Sequence, residues 1–450
     1  MPDTDLHKDP DSTTEPRPTP PPGLWRQRNF AALWSAHTVS QFGTQISFFV
    51  LPVLALTTVG ATPGQLGLVA AAETLPFLLV GLPAGALLDQ WDRRRVMIVA
   101  DAGRAAVICV LPLGYALDLL GVPLLCAVAF VTGLFTVFFD IADQAFLPSV
   151  VGRTQTAAGN SRLEFSRSAA ELAGPGLAGL LLQVVTAPLI LLADAASYLA
   201  SALLLGLVRT PARAEAEPPA QELRATESPA QEPPAPRERM RTRIADGLRF
   251  VLRNQLLRPI ALATAIGNLA GLGGALSALL PAFALRDLGL SPGRLGLALT
   301  VGNVCALIGA LLTGRLIRLL GLGRLLVAAK CLPGLGVLLL ATAAPDRAVP
   351  ALAGAAGIAA CGITVYNIAQ VSLRQAVTPT AMQARMNASV RFVIWGTLPL
   401  GAAAGGLLGS AIGLRPALWL VAVVSLFSCV PLLLARDVRT LRDFPAAAAD

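Results

Sequence analysis

The sequence predicts an all-α membrane protein: twelve transmembrane helices arranged as two pseudo-symmetric six-helix bundles. Three observations carry this reading. Apolar residues make up 54% of the 450-residue chain, charged residues only 14%, and mean hydropathy is +0.65. A soluble domain carries about a quarter charged residues, so this charge is too sparse to cover a soluble surface, and the same balance excludes a disordered chain or a small disulfide scaffold. The apolar residues also fall into runs long enough to cross a bilayer, which takes about 20 residues. Finally, short motifs recur along the chain at nearly one offset, 229 residues.

Each element follows in order. Residues 1–29 read as a disordered cytoplasmic tail, rich in Pro, Asp and Thr and lacking the apolar core of a signal peptide. An N-terminal six-helix bundle over 30–208 holds spans at Ala31–Thr57, Leu66–Leu88, Val96–Leu117, Val122–Phe139, Ser168–Val185 and Ala187–Val208. The fourth and fifth look short. A cytoplasmic linker follows over 209–255, with seven prolines among glutamates in its first part. Its last part, Arg241 to Arg253, sets Ile244, Leu248, Val251 and Leu252 on one helical face among arginines. That pattern fits an interfacial helix on an anionic leaflet and equally a solvated extension of the seventh span. A C-terminal six-helix bundle over 256–435 holds Pro259–Leu285, Leu295–Thr313, Leu325–Ala344, Ala348–Leu373, Phe392–Leu414 and Pro416–Leu434, and a tail closes the chain over 436–450. All spans are expected to be helices, because a lipid-facing segment must satisfy its own backbone hydrogen bonds.

The basic residues set the orientation. Alternate loops and tails carry 29 Arg and Lys on one side and four on the other. By the positive-inside rule, both termini and the linker are expected in the cytoplasm, in the inner membrane. An even span number agrees with that. The net charge of +8 and pI near 9.7 do not point to nucleic acid, because the basic residues sit in short clusters between apolar runs with no interleaved aromatics. The six cysteines lie inside apolar runs without a CxxC pair, and only His7 and His37 are histidine. A metal site is not expected.

The repeat divides the chain into halves. Thr62-Pro-Gly-Gln-Leu-Gly-Leu68 recurs as Ser291-Pro-Gly-Arg-Leu-Gly-Leu297, and Leu51-Pro52 as Leu280-Pro281, both at 229. Farther on, Asn160, Gly174 and Gly179 match Asn387, Gly401 and Gly406 at 227. Six spans repeated in parallel are the plan of the major facilitator superfamily.

Local motifs strengthen that resemblance. Gly85-Ala-Leu-Leu-Asp89-Gln-Trp-Asp-Arg93-Arg94-Arg95 resembles the superfamily's motif A, with Asp92 in place of the usual second glycine. The resemblance implies a cytoplasmic gate of Gly85, Asp89, Arg93 and Arg94, with Asp89 pairing Arg391 and with Asp140 and Asp143 joining the network. Gly174-Pro175-Gly176-Leu-Ala-Gly179 resembles the Gly-Pro motif C of proton-coupled exporters, with Ala178 and Ala170 where glycines are usual; plain helix packing explains the same residues. Arg28-Asn-Phe30, Ser40-Gln-Phe-Gly43, Gln144-Ala-Phe-Leu-Pro148 and Ser372-Leu-Arg-Gln375 are similar to the bacterial subgroup that includes the enterobactin exporter and macrolide efflux proteins. Many members of that subgroup carry an acid where this chain has Thr44.

Charge within a membrane costs at least a few kcal/mol per group. Here the candidates are Glu73, Asp101, Arg104, Glu171, Asp194 and Lys330. Glu171 and Asp194 are expected toward the ends of their spans. Asp101 and Arg104 are three apart and can pair on one face. Asp101 and Lys330 are pseudo-equivalent at 229. Glu73 has no charged neighbour within a turn. A lone carboxyl in low dielectric favours its neutral form, which suits a proton carrier; a structural hydrogen bond is the other reading. The resemblance implies that the first, fourth, seventh and tenth spans line the substrate path. Their polar or aromatic residues are Gln41, Gln45, Phe49, Phe135, Phe138, Asn268, Tyr366, Asn367 and Gln370.

The function expected is proton-coupled export of a small amphipathic molecule by alternating access, with the proton gradient as energy source and no cofactor. An uptake permease on the same fold is the alternative, since the fold does not set direction. An intramembrane enzyme lacks its motifs, and no GxxxxGK[ST] loop supports an ATP-driven pump. A monomer in contact with lipid is expected.

Overall fold

The computed structural model describes residues 23–88, 91–209 and 249–445. Its helices are α1 (Arg28–Thr57), α2 (Pro63–Leu88), α3 (Arg93–Ala116, interrupted at Cys109), α4 (Val122–Val151), α5 (Thr156–Val184) and α6 (Ala187–Leu207) in the first half. The second half holds α7 (Leu257–Ala270), α8 (Leu276–Ala282), α9 (Pro292–Leu320), α10 (Leu322–Ala341), α11 (Ala348–Val377), α12 (Thr380–Ile412), α13 (Leu414–Leu434) and α14 (Arg436–Arg439). Among the described residues, nine helices are long and apolar enough to cross a membrane. The other three expected spans fall on α5, on α7 with α8, and on α12.

Several spans differ from the sequence reading: α12 begins at Thr380 and not at Phe392, and three others differ for a clear physical reason. Helix α4 runs on to Val151 and α5 begins at Thr156, so both are longer than their apolar runs. Hydropathy follows lipid contact, whereas these ends carry polar residues that face inward. The seventh span is not one helix: α7 stops at Ala270 and α8 starts at Leu276, across Gly271-Leu-Gly-Gly274. Apart from proline, glycine is the residue least able to hold a helix together, and a broken backbone at membrane depth is tolerated where it lines a cavity. A π-turn over Phe283–Asp287 follows α8.

Two bundles form. In the first, α1 packs on α5 and α6, α2 on α4, and α3 on α4 and α6; in the second, α9 and α10 pack on α11, and α12 and α13 pack on α7. Two helix pairs make the main contacts between the bundles, α2 with α12 and α5 with α9, and α8 adds to them against α2. Both seams are built from glycine. A Cβ on Gly67 would stand 2.5 Å from the Ala402 carbonyl oxygen and 2.8 Å from the Gly406 Cα. A Cβ on Gly296 would stand 3.1 Å from the Gly179 Cα. Small residues let helix backbones approach this closely. The repeat thus places its four glycines at two equivalent seams.

These seams lie at the end of the molecule opposite the linker. There one apolar cluster runs through both halves, from Phe49 and Leu66 to Ala275, Leu279 and Leu418. Polar contacts reinforce it: Gly64 N–H donates to Ser410 Oγ at 2.7 Å, and Arg286 Nη2 donates to the Ala61 carbonyl at 2.8 Å. At the linker end the core is split. One cluster around Phe30, Met97 and Phe146 belongs to the first bundle, and another around Ile260, Leu326 and Tyr366 to the second.

Two segments read as tail or linker are partly built in. Val251 is buried with Leu257, Met386 and Val390; residues 210–248 of the linker, most of its interfacial-helix candidate included, lie outside the described residues, as do residues 1–22 and 446–450. The stretch after Arg436 folds back on the second bundle. Leu322 N–H donates to the Arg442 carbonyl at 3.1 Å and Gly323 N–H to the Leu441 carbonyl at 2.9 Å. This satisfies two of the otherwise unpaired first-turn donors of α10.

Candidate functional site

A cavity of about 1030 Å³ lies between the bundles. Its fullest wall is α4, which presents Val128, Ala129, Thr132, Gly133, Thr136, Asp140, Asp143 and Gln144. Those positions follow the helical repeat, one turn above another on one face. From α1 come His37, Gln41, Thr44, Gln45, Ser47 and Phe48; from α2, Glu73, Thr74 and Phe77. From α5 come Asn160, Glu164, Phe165, Arg167, Ser168 and Glu171. The second bundle contributes mainly apolar surface: Gly273 at the broken span, Leu307, Trp395 and Leu398. A second chamber of about 730 Å³ continues from Gln45, Phe48 and Glu73 toward the closed end, between Phe49, Leu66, Leu276, Leu280 and Leu295.

The charged groups of the polar chamber are mostly paired. Arg104 and Asp101 form a buried ion pair on α3. The same guanidinium lies 4.3 Å from the ring centroids of both Phe139 and Tyr198, so it is held by charge and by aromatic faces. Arg167 Nε donates to Glu171 at 3.1 Å. His37 Nδ1 is 3.3 Å from Asp143 Oδ2, with both residues buried. The Glu73 carboxylate forms no hydrogen bond or ion pair among the described residues, although it lines both chambers.

A further polar group joins α1 to α6. Ser47 Oγ donates to Asp194, Ser197 Oγ donates to the same carboxylate at 3.1 Å, and the Thr44 and Tyr198 hydroxyls lie 2.9 Å apart. Gly43 makes room for it, since a Cβ there would fall on the Ser197 and Asp194 side chains. Asp194 therefore sits against the middle of α1, inside the bundle, and not at a free helix end as its position in the sequence suggests.

The expected lining residues divide. Gln41, Gln45 and Phe49 do line the two chambers. Asn268, Tyr366 and Asn367 line a separate pocket of about 270 Å³ inside the second bundle, together with Lys330. Phe135 and Phe138 fall outside the cavity, as does Gln370, which is buried. Phe135 sits one residue, or about 100°, off the α4 stripe, where it covers Gly103 at 2.5 Å from that residue's Cβ position. Phe138 stacks on Trp91 at 6.3 Å between centroids. Asp101 and Lys330 do not meet: the first holds Arg104, the second lies 4.3 Å over the Tyr366 ring.

Of the loop motif and its expected partner, Asp89, the surroundings of Gly85 and the side chain of Arg391 lie outside what is described. Its arginines bond carbonyls of neighbouring helices, Arg94 at the last turn of α6 and Arg93 within α4. Arg93 Nη1 donates to the Ala145 carbonyl at 2.9 Å, and Arg94 Nε donates to the Leu205 carbonyl at 2.8 Å. Cations belong at helix C-termini. Asp92, the departure from the motif, caps α3 by accepting from the N–H groups of Arg94 and Arg95 at 3.0 and 3.3 Å. In the Gly-Pro motif, Gly174 faces Gln45 of α1, while Gly176 and Gly179 face α9.

Sequence reasoning missed His37, Thr44, Ser47, Thr132, Thr136 and Trp395 as site residues, and it missed the partners of Asp194. The α4 stripe is visible as a polar periodicity, Thr132, Thr136, Asp140, Asp143. Nothing local marks Trp395 or joins Asp194 to Ser47, because the residues they meet are remote in sequence.

Comparison with known proteins gives one consistent result. The profile of the Major Facilitator Superfamily matches residues 33–398 and 267–449. The multidrug efflux pump Tap of Mycobacterium tuberculosis (strain ATCC 25618 / H37Rv) is 32% identical over 148 residues, which span 32% of this chain and 35% of that protein. The multidrug efflux pump Tap of Mycolicibacterium fortuitum is 25% identical over 83% of this chain and 87% of that protein. Among solved structures, a bacterial homologue of the iron transporter ferroportin in an inward-facing state superposes with a TM-score of 0.70 at 18% identity, covering 92% of this chain and 99% of that one.

Proposed function

The chain belongs to the major facilitator superfamily, and from that premise we propose that it is a proton-coupled exporter of small amphipathic molecules. It is a multi-pass membrane transporter of small molecules. The observation that carries the finer reading is the cavity: about 1030 Å³, polar and acid-rich on the first bundle, apolar on the second. Such a space takes a molecule with one polar and one apolar side. Export is supported by the similarity to the Tap pumps.

The seams support alternating access. Gly67 against Gly406 and Gly296 against Gly179 close one end, while the apolar clusters at the other end stay separate. Rocking the bundles about these contacts opens one end as it closes the other. Glu73 is the proton carrier of this proposal, because it faces the cavity with no partner to hold it ionised, whereas Asp101 is committed to Arg104. In the inner membrane, both termini and the 209–255 linker are cytoplasmic. The cytoplasmic gate is the pair Asp89 and Arg391.

Everted vesicles containing the protein, given external ethidium under an imposed inside-acid gradient, test this directly. Accumulation is expected, and a protonophore is expected to abolish it. Ethidium movement indifferent to the gradient overturns the coupling, and gradient-driven accumulation by right-side-out vesicles alone overturns the direction. Glu73→Gln is expected to lower gradient-driven accumulation about tenfold, about 1.4 kcal/mol, while sparing ethidium counterflow.

A further inference from the structure

The second bundle holds a charge that its scaffold does not neutralise. Lys330 on α10 is 7% exposed, and no carboxylate lies within ion-pair distance of it among the described residues. Its ammonium sits 4.3 Å over the Tyr366 ring, which attracts a cation but does not cancel its charge. Gly267 leaves space for it, since a Cβ there would come 2.9 Å from the Lys330 Cε and closer still to Nζ. A buried unpaired ammonium is costly, and buried charges are normally paired.

The surroundings suit a negative partner. The pocket of about 270 Å³ that Lys330 lines is polar on several sides, with Asn268, Asn367 and Ser428 among its walls. Asn367 makes no hydrogen bond among the described residues, so its amide can donate. The volume exceeds one water's share of about 30 Å³ several-fold, enough for a small anion with some of its water. The pocket abuts the central cavity, since Gly273 and Leu398 line both. The break between α7 and α8 therefore forms their common wall.

We infer that this pocket binds a monovalent anion as the counter-ion of Lys330. Two sources share that chemistry: an inorganic halide, and the carboxylate arm of a transported molecule reaching past Gly273. In both, the ammonium and the Asn367 amide donate to the anion, and the Tyr366 ring packs against the opposite side of the ammonium.

The test uses the full-length protein in lipid nanodiscs and reads its thermal unfolding midpoint at fixed ionic strength. Chloride, bromide or benzoate replaces gluconate, a bulky anion. For the wild type, a saturable rise of a few degrees is expected. Lys330→Arg is expected to keep the response and Lys330→Gln to lose it, with both variants eluting as folded protein. Stabilisation by halides alone assigns the site to an inorganic ion; saturable stabilisation by benzoate assigns it to a carboxylate. Equal midpoints in all four anions overturn the inference, as does an undiminished response in Lys330→Gln. Neither readout needs a gradient or a direction of transport, so failure here is separable from failure of the exporter reading.

Discussion

The two bundles share a scaffold but not their chemistry. Gly174 packs on α1 as Gly401 packs on the end of α7, and Gly179 meets Gly296 as Gly406 meets Gly67. Each bundle also holds a threonine–tyrosine hydroxyl contact of 2.9 Å, Thr44 with Tyr198 and Thr264 with Tyr366, but the two tyrosines stand on non-equivalent spans, the sixth and the tenth. Yet the first bundle carries Glu73, Asp101, Arg104, Asp143 and Asp194 inside it, and the second carries Lys330 over its tyrosine. Where the backbones of two halves must approach alike, only glycine fits, and the repeat is kept. Where the cavity needs distinct walls, side chains diverge. One bundle supplies acids and hydroxyls, the other an apolar face and a cation.

The largest effect should come from breaking charge balance in the first bundle. Asp101→Asn leaves Arg104 buried without its partner, and removing one member of a buried pair costs about 3–5 kcal/mol. Denaturant unfolding in detergent reads this, and combining Asp101→Asn with Arg104→Met should recover most of the loss. In gluconate, Lys330→Met in the second bundle is expected to be neutral or stabilising, because it removes a charge with no carboxylate partner among the described residues. Equal losses in both bundles would erase the contrast.

A smaller effect should come from the shared scaffold. Gly67→Val and Gly296→Val each place a side chain into the facing backbone. Each is expected to slow transport about tenfold, about 1.4 kcal/mol, with membrane insertion intact. Similar losses at both positions support equivalent seams, and a loss at one alone shows that a single seam carries the motion. The smallest effect concerns the returning segment. Val438 is fully buried against the second bundle, so Val438→Ala should lower stability by about 1 kcal/mol and leave transport of ethidium unchanged at permissive temperature.

The fold was legible because its signals are local. Apolar runs mark lipid-facing helices, and the 229-residue repeat marks two halves. The Asp101–Arg104 pair was legible for the same reason, being three residues apart on one helix. Legibility ended where polar helix ends mimicked loops, as in α4 and α5, and where three glycines divided the seventh span. The site was legible only in part. Gln41 and Gln45 face the cavity as their span implied, and Glu73 reaches it from the second span, but Phe135 and Phe138 on the fourth turn away from it. Asn268, Tyr366 and Asn367 open into a different pocket.

By itself, then, the sequence determined the membrane class, the two-bundle plan and several of the buried charges, Asp101, Arg104, Asp194 and Lys330, since composition and periodicity are properties of a chain read in order. Only the tertiary structure decided which charges are paired. Arg104 meets Asp101 within one helix, but Asp143 lies beside the His37 ring across α1 and α4, Asp194 is held by Ser47 from another helix, and Lys330 is left over an aromatic ring. Pairing depends on distance in space, and side chains that are remote along the chain become neighbours only once the helices pack.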